Sequence, residues 1–153
     1  MKSILTYGTF DLFHIGHLRL LERAAKLGDE LHVGISSDEF NAIKGKKTAI
    51  SYHDRACIVE ALGFVTSVFR EDTWDQKRTD IMRLNTDVFV MGDDWTGKFD
   101  DLSDICDVRY LTRTNDISTT ELKSMLSRLK TDQIIELKRS VDNLQDIIAQ
   151  LSN

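Results

Sequence analysis

The chain has 153 residues, 20 lysines and arginines against 25 aspartates and glutamates, a formal charge of −5 and a hydrophobic fraction of 41%. That length suits one domain with a sizeable core and a short appendage, and the charge offers no basic field for a nucleic-acid backbone, so any phosphate must be held by a local cluster. No apolar run approaches the roughly 18 residues of a membrane span, and Met1 leads at once into a strand-like run, which predicts a cytoplasmic protein without membrane insertion.

Short β-branched or aromatic runs at residues 3–10 (SILTYGTF), 30–36 (ELHVGIS), 64–70 (FVTSVFR), 87–92 (DVFVMG) and 107–112 (DVRYLT) read as strands. Between the first two, Ile15, Leu18, Leu20, Leu21 and Ala25 predict the buried stripe of a helix whose Arg19, Glu22, Arg23 and Lys26 face water and which Gly28 closes. Ser51 with Asp54, and Ser118 with Glu121, mark two further helix starts. Cys57 and Cys106, far apart in apolar segments, read as small core residues of a protein in a reducing compartment. The alternation predicts an α/β fold, a Rossmann-like doubly wound parallel sheet, with ligands outside the carboxyl ends of the strands near the reversal of strand order.

From Ile134 the series Leu137, Val141, Leu144, Ile148 and Leu151 steps alternately by three and four, giving the a and d positions of three heptads. Thr131 or Asp132 is expected to cap a fresh helix. The predicted organisation is a catalytic domain over residues 1–130 and a C-terminal heptad-patterned helix over 131–153. That helix either lies on its own domain or forms a short coiled coil between subunits, and the pattern favours association into a homodimer or higher homo-oligomer.

In TYGTFDLFHIGHLRLL, His14 and His17 stand three apart where the first strand gives way to the first helix. Both rings point to the same side, toward a helix start that attracts anions. Gly16 between them lets a ribose or base approach the backbone, and Gly8 and Thr9 supply a sharp turn and donors. Simple packing and a zinc site of Asp11, His14 and His17 are the alternatives; zinc lacks further histidine or cysteine ligands nearby in sequence. KGKKT at residues 44–48 is not a P-loop, since Phe40 stands where the motif needs glycine and Lys47 where it needs Ser or Thr.

The HIGH run after TYGTFDLF resembles the HxGH signature of the cytidylyltransferase-type nucleotidyltransferases, and RTNDISTT at residues 113–120 is similar to the RTEGISTT signature of their cytidylyltransferase branch. ISSDEFNAIKGKK, SYHDR and FVMGDDWTGKFD extend the resemblance to the glycerol-phosphate enzymes over about residues 1–129. The resemblance implies transfer of CMP from CTP to glycerol 3-phosphate, giving CDP-glycerol and pyrophosphate for teichoic-acid-like or capsular polymers, with Mg2+ as cofactor. It implies that His14 and His17 hydrogen-bond the CTP phosphates, best as protonated imidazoles, and that Thr9, Phe10, Asp11 and Gly16 bind nucleotide, with Asp11 near the metal. Lys44 and Lys46 would clamp the transferring and acceptor phosphates; Arg55 and Arg113 would bind phosphate; Ser118, Thr119 and Thr120 would hold the β and γ phosphates. Asp94 would face the nucleoside, and Trp74, with Trp95, would frame the substrates.

Gly63 and Thr66 stand where the glycerol-phosphate enzymes tend to carry arginine and aspartate, and Asn115 and Asp116 where the signature has Glu and Gly. These losses bear on a salt link or subunit contact and on the loop's flexibility. The alternatives are another phosphorylated alcohol as acceptor, ribitol phosphate or phosphoethanolamine, and a non-catalytic nucleotide-binding scaffold.

Overall fold

In a computed structural model, residues 1–113 and 118–151 are described. Residues up to 117 form one compact unit and Ser118–Asn153 a second. In the first, strands β1 (Ser3–Gly8), β2 (Glu30–Ser36), β3 (Ser67–Glu71), β4 (Val88–Gly92) and β5 (Asp107–Leu111) form one parallel sheet in the order β3-β2-β1-β4-β5. All five fall on the β-branched runs predicted for them. Helices α1 (Ile15–Ala25), α2 (Asp38–Ile43), α3 (Tyr52–Glu60) and α4 (Gln76–Arg83) make the crossovers up to β4, and two 3₁₀ turns, Asp93–Trp95 and Asp100–Asp104, lie between β4 and β5.

Strand order runs outward from β1 through β2 to β3, then returns to β4 on the other side of β1. The reversal therefore lies between β1 and β4, where Thr6 is level with both Val33 and Val90. Alternation along the strands splits the core. Ile4, Val88 and Val90 pack with Leu21, Ala24 and Val59 on one face, while Leu5, Tyr7, Phe89 and Met91 pack with Ile81, Phe99 and Leu102 on the other.

Four local expectations need correction. The buried residues of α1 are Leu21 and Ala24, whereas Ile15 is 42% exposed because it opens the helix at the sheet's rim. The cap of α1 is Lys26, not Gly28, whose place against the Lys2 carbonyl and Ile4 leaves no room for a Cβ. Cys57 is exposed rather than in the core, because it lies on the solvent side of α3.

The fourth concerns the second unit, which is one uninterrupted helix, α5 (Thr119–Leu151), so no fresh helix starts at Thr131 or Asp132. Instead the Thr131 hydroxyl donates back to the Ser127 carbonyl at 3.0 Å, a bond that leaves the helix intact. The predicted start at Ser118 is present: Ser118 Oγ accepts from the Glu121 amide at 3.1 Å and Glu121 Oε2 from the Ser118 amide at 2.8 Å. No helix among the described residues is long and apolar enough to cross a membrane.

Candidate active site

The turn after β1 is built around a buried ring. Phe10 has a left-handed backbone (φ 53°) and tucks its side chain into the core, and a Cβ on Gly8 would lie 2.7 Å from that ring. Phe10 can therefore reach a nucleotide only through its backbone. Thr9 Oγ1 lies 3.0 Å from Ser36 Oγ, tying the end of β1 to that of β2.

The two histidines start α1 by capping it reciprocally. His14 Nδ1 accepts from the Gly16 amide at 3.0 Å, and His17 Nδ1 accepts from the His14 amide at 3.3 Å. The rings stack with centroids 3.9 Å apart, and Phe10 and Phe13 flank His17. A backbone N–H can only donate, so each Nδ1 is an acceptor and each neutral ring carries its proton on Nε2. Burial, then neighbouring His14, pushes the pKa of His17 down to about 4, with Asp11 pulling the other way. His14 is lowered by burial and by Arg113. In the free protein burial thus favours neutral rings that donate from Nε2–H; the expectation of protonated imidazoles concerns the complex, where bound phosphates would raise both pKa values.

The sign of this linkage is testable. Between the ordinary histidine value of 6.5 and about 4, the unfolded chain takes up a proton that folded His17 refuses. Its stabilisation is complete above that window and is lost as the pH falls through it, by at most about 1.4 kcal/mol per pH unit. Urea midpoints followed from pH 7 to 4.5 are expected to fall more steeply for the parent protein than for His17→Asn.

Asp11 is 3% exposed, and its carboxylate accepts from the amides of Leu12, Ala49 and Ile50 at 3.1, 2.8 and 3.0 Å. Its oxygens are thus spent on holding the segment after α2 to the end of β1, and they do not fit a magnesium ion. Arg55 is wholly buried: it donates to the carbonyls of Ile50, Thr9 and Ser36 at 3.0, 2.6 and 2.9 Å and to Asp38 Oδ1 at 2.8 Å. The expectation that Arg55 binds a substrate phosphate is corrected on this ground, since its guanidinium is consumed by four protein oxygens.

The lysines occupy the end of α2. Lys44 caps it, Gly45 takes the left-handed conformation (φ 70°), and the Lys46 amide closes the turn on the Asn41 carbonyl at 2.8 Å. Lys44 Nζ lies 4.2 Å from the Phe40 ring centroid and 5.2 Å from that of Trp74. Its pKa is lowered by burial, with Glu71 opposing and the nearby cations Lys46, Lys77 and Arg55 reinforcing. Lys46 is exposed beside it. Trp74 is 43% exposed and bridges Phe40 and Trp95, with centroids 5.4 and 5.6 Å away.

Arg113 follows β5. Its amide donates to Asp93 Oδ2 at 3.2 Å and its guanidinium stands 3.6 Å from Asp94. Because Arg113 acts on the titration of both histidines, His14, His17, Arg113 and Asp94 form one charged neighbourhood at the β1/β4 reversal. Lys44, Lys46 and Trp74 form a second, anchored by α2. Gly16 sits in the first turn of α1. Ser118, Thr119 and Thr120 start α5 in the other unit, and Asn115 and Asp116 lie outside the described residues.

Sequence reasoning missed one group here. Lys77 is buried in the first turn of α4 and paired with buried Glu71, with the rings of Tyr7, Trp74 and Phe99 4.5, 4.7 and 5.5 Å from its Nζ. The Tyr7 hydroxyl donates to Asp80 at 2.7 Å beneath it. A cavity of about 440 Å³ opens beside this cage, lined by Trp74, Lys77, Lys98 and Phe99 among others.

The sequence profile described as cytidylyltransferase-like matches residues 5–125. Glycerol-3-phosphate cytidylyltransferase of Bacillus subtilis (strain 168) is 56% identical over 129 residues, 84% of this chain and 100% of the relative. The Staphylococcus aureus (strain NCTC 8325 / PS 47) protein of the same name is 50% identical over 82% of this chain and 96% of the relative. Among solved structures, the lipopolysaccharide core biosynthesis protein of Thermoplasma volcanium GSS1 superposes with a TM-score of 0.64 at 22% identity, over 76% of this chain and 99% of that one, a likeness of fold.

Proposed function

The chain belongs to the cytidylyltransferase-like family, and from that premise we propose that it transfers CMP from CTP to glycerol 3-phosphate, releasing pyrophosphate and CDP-glycerol for polymer synthesis in the cytoplasm. The observation that carries the reading is full-length coverage of a relative with that stated activity at 56% identity. The paired histidine caps supply groups suited to it.

In the reaction, a phosphate oxygen of the acceptor forms a bond to the α-phosphorus as the bond from that phosphorus to the oxygen bridging to the β-phosphate breaks. The nucleophile is already an anion, so no general base is needed; catalysis consists of in-line placement and stabilising charge that grows on the α-phosphate and pyrophosphate. His14 and His17 donate from Nε2–H to these oxygens, held in aim by the backbone bonds at Nδ1. Arg113 adds positive charge beside them. Lys44 and Lys46 approach from α2 and neutralise the transferring and acceptor phosphates, and Trp74 walls the acceptor side.

Asp94 and the backbone around Thr9, Phe10 and Gly16 serve the nucleoside. Asp11 and Arg55 enter as positioning residues. Mg2+, if carried in with CTP, would neutralise phosphate charge, and no residue of this chain is assigned to hold it. The enzyme works as a homo-oligomer in this reading.

Pyrophosphate release measured over a grid of four nucleoside triphosphates against glycerol 3-phosphate, ribitol phosphate and phosphoethanolamine tests the proposal. CTP with glycerol 3-phosphate is expected to dominate; preference for another alcohol moves the acceptor, and silence across the CTP row removes the activity.

A further inference from the structure

Helix α5 carries two apolar stripes. Met125, Leu126 and Leu129 form the first, with Leu122; the step of five residues from Leu129 to Ile134 rotates the second by roughly 140° onto another face. Along that second stripe Ile134, Leu137, Val141, Leu144, Ile148 and Leu151 are 52, 66, 45, 59, 63 and 82% exposed. The profile of the family ends at residue 125, and the fully covered Bacillus relative accounts for 129 of the 153 residues, so this stripe is an addition to the catalytic unit.

Its composition selects the partner. Every a position is β-branched (Ile134, Val141, Ile148) and every d position is leucine (Leu137, Leu144, Leu151), the combination that favours two parallel strands over three or four. Of the flanking e and g positions among the described residues, Gln133, Ser140 and Ile147 stand at g and Lys138 and Gln145 at e. In a parallel pair Gln133 of one chain meets Lys138 of the other and Ser140 meets Gln145, so no like charges face each other. Asp132, Glu136, Asp142 and Asp146 all fall on outer positions, where they favour water and oppose an anionic lipid surface. We propose that residues 134–151 pair with the same segment of a second copy of this chain as a parallel, in-register, two-stranded coiled coil.

Disulfide trapping in the whole protein tests it. In a Cys57→Ser background, which removes an exposed thiol, single cysteines are placed at the seam by Leu137→Cys or Leu144→Cys and on the outer face by Arg139→Cys. Under mild oxidation both seam variants are expected to become two-chain species at least ten-fold faster than the outer variant, with helix content by circular dichroism unchanged in every variant. Light scattering on the unmodified chain is expected to give an even number of copies. Equal trapping at seam and outer positions, no trapping at the seam, or trapping only when Val141→Cys and Leu144→Cys chains are mixed, which marks antiparallel strands, would overturn the proposal. So would a three-copy mass. None of these readouts depends on the catalytic reading.

Discussion

Replacing His17 by alanine is expected to lower turnover of CTP with glycerol 3-phosphate by about 10²–10³-fold, the usual effect of deleting one preorganised donor to a developing anion. The same change removes the acceptor of the His14 amide, so it also weakens the start of α1, by about 1 kcal/mol as for other cap deletions. His17→Asn separates the two effects. Its side-chain oxygen can still accept from the His14 amide, so the stability is expected to return toward that of the parent while turnover stays low. Steady-state rates and urea midpoints on the three proteins check both parts, and a normal rate in either variant would remove His17 from the reaction.

The second large effect is on stability. Arg55→Leu leaves Asp38 and three carbonyls, at the ends of β1 and β2 and in the segment before α3, without their shared donor. The carboxylate left behind is 46% exposed, so the cost comes chiefly from the carbonyls that lose their donor, about 1–3 kcal/mol for each one left buried and unpaired, a large part of what a domain of this size has in reserve. Arg55→Lys is not expected to rescue it, because one ammonium cannot span oxygens placed for a planar fork. Chemical denaturation reads the loss directly. A variant that kept its stability but raised the KM for CTP would restore Arg55 to the phosphates.

The fold was legible where local pattern and tertiary environment agree. The central strands are buried on both faces, so they appear as continuous runs such as Phe89 to Met91, while the half-exposed edge strands β3 and β5 showed through their β-branched and aromatic residues. The histidine pair was visible as spacing, but its reciprocal capping was hidden because the usual signature uses Ser or Thr with Glu or Gln. Arg55 was unreadable for a different reason: three of its partners are main-chain oxygens, which leave no trace in side-chain identity.

Lys77 illustrates the strongest override. It lies in QKRTDIMR, a segment with the composition of a solvated helix, yet is buried because Glu71 and three rings come to it from other elements. The aromatic residues Tyr7, Trp74 and Phe99 were the available signal, scattered over the chain. The apolar heptads were legible as a stripe, while the continuity of α5 across residue 131 was not, since Thr and Asp favour caps yet are tolerated at outward positions of a long helix.

If Lys44 and Lys46 hold the phosphates as proposed, the double fastening of the chain between α2 and α3 bears on how long nucleotide stays. Asp11 grips the amides of Ala49 and Ile50 from one side, and Asp38 takes Thr48, Tyr52 and Arg55 from the other. A stretch riveted in this way is a fixed collar, not a flap. Nucleotide dwell times would then follow the strength of ionic contacts with Lys44 and Lys46, shortening steeply with added salt, with no slow opening step to set a floor.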